Sequence, residues 1–522
     1  MNTHKEILKI CMQKGFLLDR DLLNSLSSLE EHLAKKLILS YLSLNLQDKM
    51  ITKSSFVENY KKLMKLGGEE DFELSRNFFI SLGVSKEDFS LGEKKEVIIQ
   101  EKNQNKSVKV LFSPTLISKK VSVQDFVFHF RSRYEQIKAI LMEKNLDNLR
   151  SIRRIGRDRE NYYIIVCVSQ KRITKNGNIL LDVEDLNGSA TVLINNNKKE
   201  LFDKAKDILP DEVIALGVSG NNEILFANDI IYPEAFLTEK KRAKKEELAV
   251  FISDIHVGST MFLEKEFLKF IKWLNYEEGN EEQKELAKKV KYLFINGDLV
   301  DGVGHFPGQE QWLNISDMEG QYNKIIEYLK LIRKDIEIII APGNHDAVWV
   351  GEPQPPIDKK WAPELYKMEN VTLVTNPSLV EVQDTFKIFI YHGASMHGMI
   401  NEIEDLRMIY KTDSPTRIVK EMLKRRHLAP THGLVDYIPC DKGDTLLINP
   451  LPDVITTGDL HKSEVSSYNG ILIISTSCWQ EKTPFQEKVG NNPDFCKVPL
   501  LNLKTREIKI LDFSSEEKNE SH

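Results

Sequence analysis

Cysteine is scarce in this chain. The five that occur, Cys11, Cys167, Cys440, Cys478 and Cys496, are scattered, odd in number and contain no C-x-x-C pair. That excludes a disulfide framework and a zinc ribbon, and fits a reducing, cytoplasmic setting. Charge of one sign is also missing. The chain has 72 Lys+Arg against 78 Asp+Glu, a net charge of −6, so any contact with nucleic acid has to come from a local patch. No apolar run approaches the roughly 18 residues needed to span a bilayer, and Met1 to Glu6 lacks the apolar stretch of a signal peptide. The expectation is a cytoplasmic protein without a membrane partner. Internal repeats and low-complexity tracts are absent too.

At 522 residues the chain is too long for one hydrophobic core, and about three or four units are expected. Ile7, Leu8, Ile10 and Cys11 recur at helical spacing behind a Thr3/Glu6 capping pattern, and similar periods continue to Leu63. This predicts a small helical domain over 1–66. Residues 67–148 read as a charged linker, with Glu93 to Glu96 and Gln100 to Lys106 as its solvated stretches, followed by a helix from Val123 to Lys144. Over 149–236 the pattern changes to short strands: Tyr162 to Val168, Ile179 to Glu184, Ala190 to Ile194, Val213 to Val218 and Ile224 to Ile231. Asn176-Gly177 marks a hairpin between the first two. Such a series suits a closed β-barrel of the oligonucleotide-binding type. Lys171, Arg172 and Lys175, with Tyr162 and Tyr163, are its candidate DNA contacts, although the tyrosines read better as core. A basic hinge over 237–247 leads into a domain of alternating strands and helices over 248–513, and 514–522 is a polar tail expected to be disordered. The fold class is therefore multidomain α+β.

The last large domain carries the chemistry. Five short apolar runs, Phe251-Ile252, Tyr292 to Ile295, Ile336 to Ile340, Ile388 to Ile390 and Val454-Ile455, read as buried strands. Each is followed by residues able to bind a metal: Asp254 and His256, Asp298 and Asp301, Asn344, His345 and Asp346, His392, and Asp459 and His461. Two divalent ions about 3.5 to 4 Å apart clamp a phosphate and deprotonate a water, and they need oxygen and imidazole ligands from several loops. Asp254 and His256, at alternate positions, can reach one ion. Asp298, with two oxygens, is the natural bridge, Asn344 offers an amide oxygen and His392 an imidazole, and Asp459 and His461 can each face one ion. Three carboxylates, three imidazoles and an amide suit Mn²⁺, with Fe²⁺ or Zn²⁺ as alternatives, better than Ca²⁺ or Mg²⁺. His345, left free of metal, can protonate the leaving oxygen, with Asp346 or Asp301 orienting it. Lys424, Arg425 and Arg426 form a basic run that either engages a phosphate backbone or belongs to a solvated helix face.

The motif order D-x-H, G-D-x-x-D, G-N-H-D, H and G-x-x-H resembles the calcineurin-like metallophosphoesterases. The resemblance implies an α/β sandwich, with Asp254, His256, Asp298 and His461 on one ion, Asp298, Asn344, His392 and residue 459 on the other, and His345 as the catalytic histidine. The family usually has G-H-x-H last, where this chain has Gly458-Asp459-Leu460-His461, and the added negative charge should alter metal preference. Ser253 to Ser259, Asn296 to Gly304 with Pro307 to Glu310, Ala341 to Asp346, Tyr391 to Gly393 and Met422 to Pro430 look more narrowly like the small, exonuclease subunit of archaeal family-D DNA polymerases. That family implies a metal-dependent 3′→5′ exonuclease acting on single-stranded or mispaired DNA 3′ ends. It also implies a large catalytic polymerase subunit as partner and a sliding clamp as a further one. A non-catalytic scaffold subunit, a stand-alone repair nuclease and a phosphatase are the competing readings.

Overall fold

A computed structural model describes residues 2–27, 29, 31–42, 50–60, 63, 75, 78–80, 82, 107–114 and 120–514. Both stretches read as solvated connector, Glu93 to Glu96 and Gln100 to Lys106, lie outside them, as does the tail from 515. No helix among the described residues is long and apolar enough to cross a membrane. The chain divides into two compact units, 1–100 and 101–522.

In the first unit, helices Asn2–Gln13, Arg20–Ser27, Glu31–Leu42 and Lys53–Glu58 enclose a core that includes Ile7, Leu26, Leu37 and Phe56. Two short strands, β1 (Leu17–Leu18) and β2 (Met50–Ile51), pair in parallel. Phe78, Phe79 and Leu82 join the same core, so it draws on residues beyond 66.

The second unit begins with a strand that charge composition conceals. β3 (Val108–Phe112), inside the stretch read as linker, pairs antiparallel with residues about 270 positions later. The helix Val123–Met142 follows, capped by Ser122 and Asp125. Its Tyr134, Ile137 and Leu141 share a core with Ile165, Val213, Ala215 and Leu447. β4 (Glu160–Ile173), β5 (Ile179–Asp185), β6 (Gly188–Ile194), β7 (Val213–Gly220) and β8 (Leu225–Ile231) close a barrel in the order β4-β5-β6-β8-β7. The helix Lys199–Lys206 lies between β6 and β7 in the chain.

The remainder forms two six-stranded sheets. The strands are β9 (Leu248–Ile252), β10 (Val290–Asn296), β11 (Glu337–Ala341), β12 (Val371–Leu373), β13 (Ser378–Val382), β14 (Phe386–Ile390), β15 (Val454–Thr457), β16 (Glu464–Tyr468), β17 (Ile471–Ser475), β18 (Lys497–Asn502) and β19 (Ile508–Asp512). One sheet runs β12-β11-β10-β9-β18-β19 and the other β16-β17-β15-β14-β13-β3. Ala249, Phe251, Tyr292 and Phe294 from the first and Val380, Ile388, Ile390 and Val454 from the second share one core. The alternate residues Leu248, Val250 and Ile252 join Phe267, Phe270, Tyr322 and Ile325 from helices on the opposite face. Both faces of each central strand are covered, which is why these strands read as unbroken apolar runs. β9, β10 and β11 are mutually parallel, as are β14 and β15. Each of the five ends just before a group of candidate metal-ligating side chains, so a rigid two-sheet frame carries the loops that hold them.

Candidate metal centre

The five loops bring their side chains together. One ligand atom each from Asp254, His256 and His461 lies within 4.8 Å of the other two, and the same holds for His256, Asp298 and His345, and for Asp254, Asp298 and His392. Asp254 and Asp298 are thus each shared between groups. His256 Nε2 faces His461 Nε2 at 3.3 Å, and His461 Nε2 lies 3.3 Å from Asp254 Oδ1. On the other side, His392 Nε2 lies 3.3 Å from Asp298 Oδ2, 2.9 Å from Asn344 Oδ1 and 3.9 Å from Asp459 Oδ1. Asp459 Oδ2 is buried without a hydrogen-bond partner. Converging imidazole nitrogens, shared carboxylates and an orphaned carboxylate oxygen form a donor set that suits divalent cations.

The surrounding groups fix these ligands. His392 Nδ1 donates to Asn296 O at 2.8 Å, which turns Nε2 toward the cluster. His256 Nδ1 lies 3.3 Å from Asp301 Oδ1, an ion-pair contact without hydrogen-bond geometry. The Asp301 carboxylate is held in turn by Gln309 Nε2 at 2.9 Å and Gln480 Nε2 at 3.0 Å. Asp254 accepts hydrogen bonds from Ser253 Oγ and from the Asp459 backbone N–H. Gly343 leaves space for Asp298, since a Cβ there would lie 2.2 Å from Asp298 Oδ1.

The electrostatics follow from burial and like–unlike pairing. Burial works against ionisation of Asp298, yet His392, His345 and His256 hold its carboxyl below the usual range. Asp254 is lowered in the same way, with burial opposed by His461 and His392. Burial would depress His392, but Asp298, Asp254 and Asp459 raise it well above an ordinary imidazole. Asp346 goes the other way, pushed up to about 7 by burial and by the neighbouring Asp298.

Of the two residues expected to orient His345, Asp301 does so through its backbone carbonyl, which accepts from Nδ1 at 2.7 Å, while its carboxylate lies 3.3 Å from His256 Nδ1, and the role expected of Asp346 is corrected. Asp346 does not touch the His345 ring. It accepts from Gly343 N at 2.9 Å and from Tyr322 Oη at 3.0 Å, tying the loop after β11 to the helix Met318–Leu331. His345 also sits closer to the ligands than expected, as a member of one of the three groups above.

The basic run after Met422 is corrected as well. Arg425 is 2% exposed and Arg426 5% exposed, so neither meets a phosphate backbone. Arg425 Nε donates to Glu212 Oε2 at 2.8 Å, and its other nitrogens donate to the Glu421 carboxylate and to Asp207 O, joining the sandwich to the barrel. Arg426 Nε donates to Ile448 O at 2.7 Å. Lys424 lies over the Tyr232 ring, 3.5 Å from Glu421. In the barrel, Lys171 donates to Lys206 O and Arg172 to Asp182, while Lys175 stays exposed at the hairpin tip. Tyr162 is buried, so its ring is not offered for stacking, and Tyr163 is half-buried with its hydroxyl donating to Asp229.

Sequence reasoning missed several groups. His305 stacks on His345 with centroids 4.3 Å apart and planes 21° apart. Gln486 Nε2 lies 2.9 Å from His461 Nδ1, and Gln480 bridges Asp301 and Ser259. His305 and Gln480 are single residues in loops, and Gln486 stands in the first turn of the short helix Pro484–Val489, so no periodicity flags them.

Residues 249–466 match the family model of the B subunits of DNA polymerases alpha and epsilon. The chain is 35% identical over 393 residues to the DNA polymerase II small subunit of Methanothermobacter thermautotrophicus, covering 75% of this chain and 80% of that one. With the DNA polymerase II small subunit of Archaeoglobus fulgidus it shares 37% identity over 374 residues, 71% of this chain and 74% of that one. The protein of the same name from Methanocaldococcus jannaschii is 37% identical over 387 residues, 73% of this chain and 64% of that one.

Proposed function

Because the chain belongs to the family of DNA polymerase II small subunits, we propose that it is the 3′→5′ exonuclease subunit of a replicative archaeal polymerase, removing nucleotides from single-stranded or mispaired 3′ ends. The observation that supports the reading is the convergence of Asp254, His256, Asp298, His392 and His461, carried by loops at separate strand ends, on one buried cluster. Polymerisation falls to a large catalytic subunit, and a sliding clamp is a further partner. The unit over 248–513 is read as a calcineurin-like sandwich and the closed barrel as the oligonucleotide-binding type. The helical domain takes in Phe78, Phe79 and Leu82 beyond its expected boundary at 66, the stretch read as linker gives β3 to one of the sheets, and the protein works in the cytoplasm.

Asp254, His256, Asp298 and His461 would hold one divalent ion, and Asp298, Asn344, His392 and Asp459 the other, with Mn²⁺ the expected metal and Fe²⁺ or Zn²⁺ as alternatives. When bound, the pair supplies Lewis acidity to the phosphate and acidifies a water. The chain's own residues do the rest. His345, with Nδ1 committed to the Asp301 carbonyl, presents Nε2 to the cleft and donates a proton at the leaving 3′ oxygen. His305, stacked on its face, prevents the ring from turning. Asp301, gripped by Gln309 and Gln480, places its carboxylate 3.3 Å behind His256 Nδ1.

The test is time-resolved hydrolysis of 3′- and 5′-labelled single-stranded DNA with Mn²⁺, by the isolated chain and with the large subunit, beside Asp298→Ala. Stepwise loss from the 3′ end by the wild type alone is the expected result. The scaffold reading is favoured by one observation, Asp459 where the resembled family carries histidine, and it would prevail if neither preparation cleaves.

A further inference from the structure

Beyond Asp301 the chain makes a loop whose polar groups are consumed internally and whose rings are not. Gln309 Nε2 donates to Asp301, Gln309 Oε1 accepts from His305 N at 2.9 Å, and Gln321 exchanges hydrogen bonds with Gly302 N and O. Gly302 has φ 74°, and a Cβ there would lie 2.2 Å from His305 Nε2 and 2.6 Å from His345 O, so only glycine allows this turn. The turn lays His305 against His345, and the same loop continues through Phe306 to Trp312, whose carbonyl accepts from Thr260 N at 2.8 Å. Phe306 remains 40% exposed and Trp312 37% exposed, although a cleft wall this well tethered could have buried them. Both rings line the cavity of about 680 Å³ that contains Asp298, His345, Asp459 and His461.

Lys411 lines the same cavity. It is exposed, it adopts φ 48° and ψ −133°, a conformation L-residues seldom take, and among the described residues its ammonium has no carboxylate partner. A cation without a carboxylate partner and two exposed rings thus line one concave site, whose size suits about one or two nucleotides rather than a duplex.

We infer that Phe306 and Trp312 form a stacking platform for the base of the 3′-terminal nucleotide of single-stranded DNA, with Lys411 meeting its phosphate; this rests on the exonuclease reading above. The wall presents two exposed aromatic rings, and the Gln309 and Gln321 amides beside them are already committed. It therefore recognises a base by its π-surface and not by its hydrogen-bonding edge, and it accepts all four bases. Base-paired termini would have to unstack first, so the platform selects frayed ends.

The test compares kcat/KM for two 5′-labelled oligothymidylates with Mn²⁺, one ending in thymidine and one in an abasic tetrahydrofuran residue, using the full chain with its large subunit. Stacking at one base predicts a preference for the thymidine end of about 5- to 150-fold, carried mainly by KM. In Phe306→Ala/Trp312→Ala that ratio should fall to near one, while Trp312→Phe, which keeps a ring, should retain most of it. A wild-type ratio near one with DNA still degraded would overturn the platform and leave the exonuclease reading standing. A preference that survives in the double alanine variant would also overturn it. Absence of cleavage at both ends would remove the exonuclease reading, and the platform with it.

Discussion

Arg425→Met is expected to destabilise the second unit by about 3–5 kcal/mol, the usual loss when one member of a buried ion pair is removed. The magnitude follows from what Arg425 satisfies. Its guanidinium reaches Glu212 Oε2 at 2.8 Å, the Glu421 carboxylate and backbone O, and Asp207 O, and it lies 5.6 Å from the Tyr232 ring centroid. Glu212 is 3% exposed and its Oε1 has no partner even with Arg425 present, so its charge has nowhere to turn when the arginine goes. Methionine fills similar space, so the loss is electrostatic and not a cavity.

The deficit should depend on pH. Burial already raises Glu212 despite Arg425, and without the arginine it rises further. A group whose folded pKa is raised binds more protons folded than unfolded, so its contribution is present below the unfolded value, about 4.3, and is lost as pH rises through the folded one. Arg425→Met should therefore approach wild-type stability near pH 5 and fall behind it at pH 8. Urea denaturation followed by circular dichroism at the two pH values measures this, and Arg425→Met/Glu212→Gln should recover a good part of the loss at pH 8. A variant within about 1 kcal/mol of wild type at both pH values, but weakened in DNA binding, would refute the structural role and restore Arg425 as a phosphate contact.

Asp298→Asn should abolish DNA hydrolysis and remove Mn²⁺ binding in isothermal titration calorimetry while the circular dichroism spectrum stays unchanged; retained binding of two equivalents would dismiss it as a bridging ligand. Asp459→His should shift the metal giving greatest activity, because a neutral imidazole replaces a carboxylate, and identical metal titrations for the two proteins would deny that aspartate any special role. Glu352, buried beside Tyr391 with His392 and Asp459 as its other charged neighbours, is raised by burial from 4.5 to about 8. Its stabilising contribution is present below 4.5 and is lost as pH climbs through 8, so Glu352→Gln should lose less thermal stability than wild type between pH 6 and 9; parallel melting curves would contradict this.

Much of this was legible in the sequence because both faces of the central strands are buried. Phe251, Tyr292 to Ile295, Ile388 to Ile390 and Val454-Ile455 stand in strands as expected, and the metal-binding candidates follow them in the chain and converge in space. β3 was not legible, since its partner β13 lies about 270 residues away and its flanks are charged. Pairing at such range leaves no local trace. Arg425 did leave one. It follows Ile418 and Met422 at intervals of four and three, the spacing of the buried stripe of the helix Pro415–Arg425, whereas the basic run Lys424 to Arg426 suggests a phosphate contact. Periodicity is the better guide there, because it reports burial directly while charge only reports what a side chain offers.

The candidate metal ligands show the opposite case, in which the residues converge as expected and the expected local geometry is incomplete. Alternate spacing predicts that Asp254 and His256 share one side, as in an extended strand, but β9 ends at Ile252 and both residues have left-handed backbones, φ 51° and 55°. Asp298, Asp459 and His461 do the same at 53°, 66° and 55°. Each such non-glycine residue costs about 1–2 kcal/mol. The loops hold it by pairing with one another: Asp254 N donates to Gly297 O at 3.0 Å, Ile255 N to Asp298 O at 2.7 Å and Gly458 N to His392 O at 2.7 Å. The turn at each position swings the side chain off the strand axis and over the ends of both sheets, where ligands from different sheets can meet. The motifs therefore state which donor atoms are present, and the strained turns, fixed by neighbouring loops that are distant in sequence, decide that they share a centre.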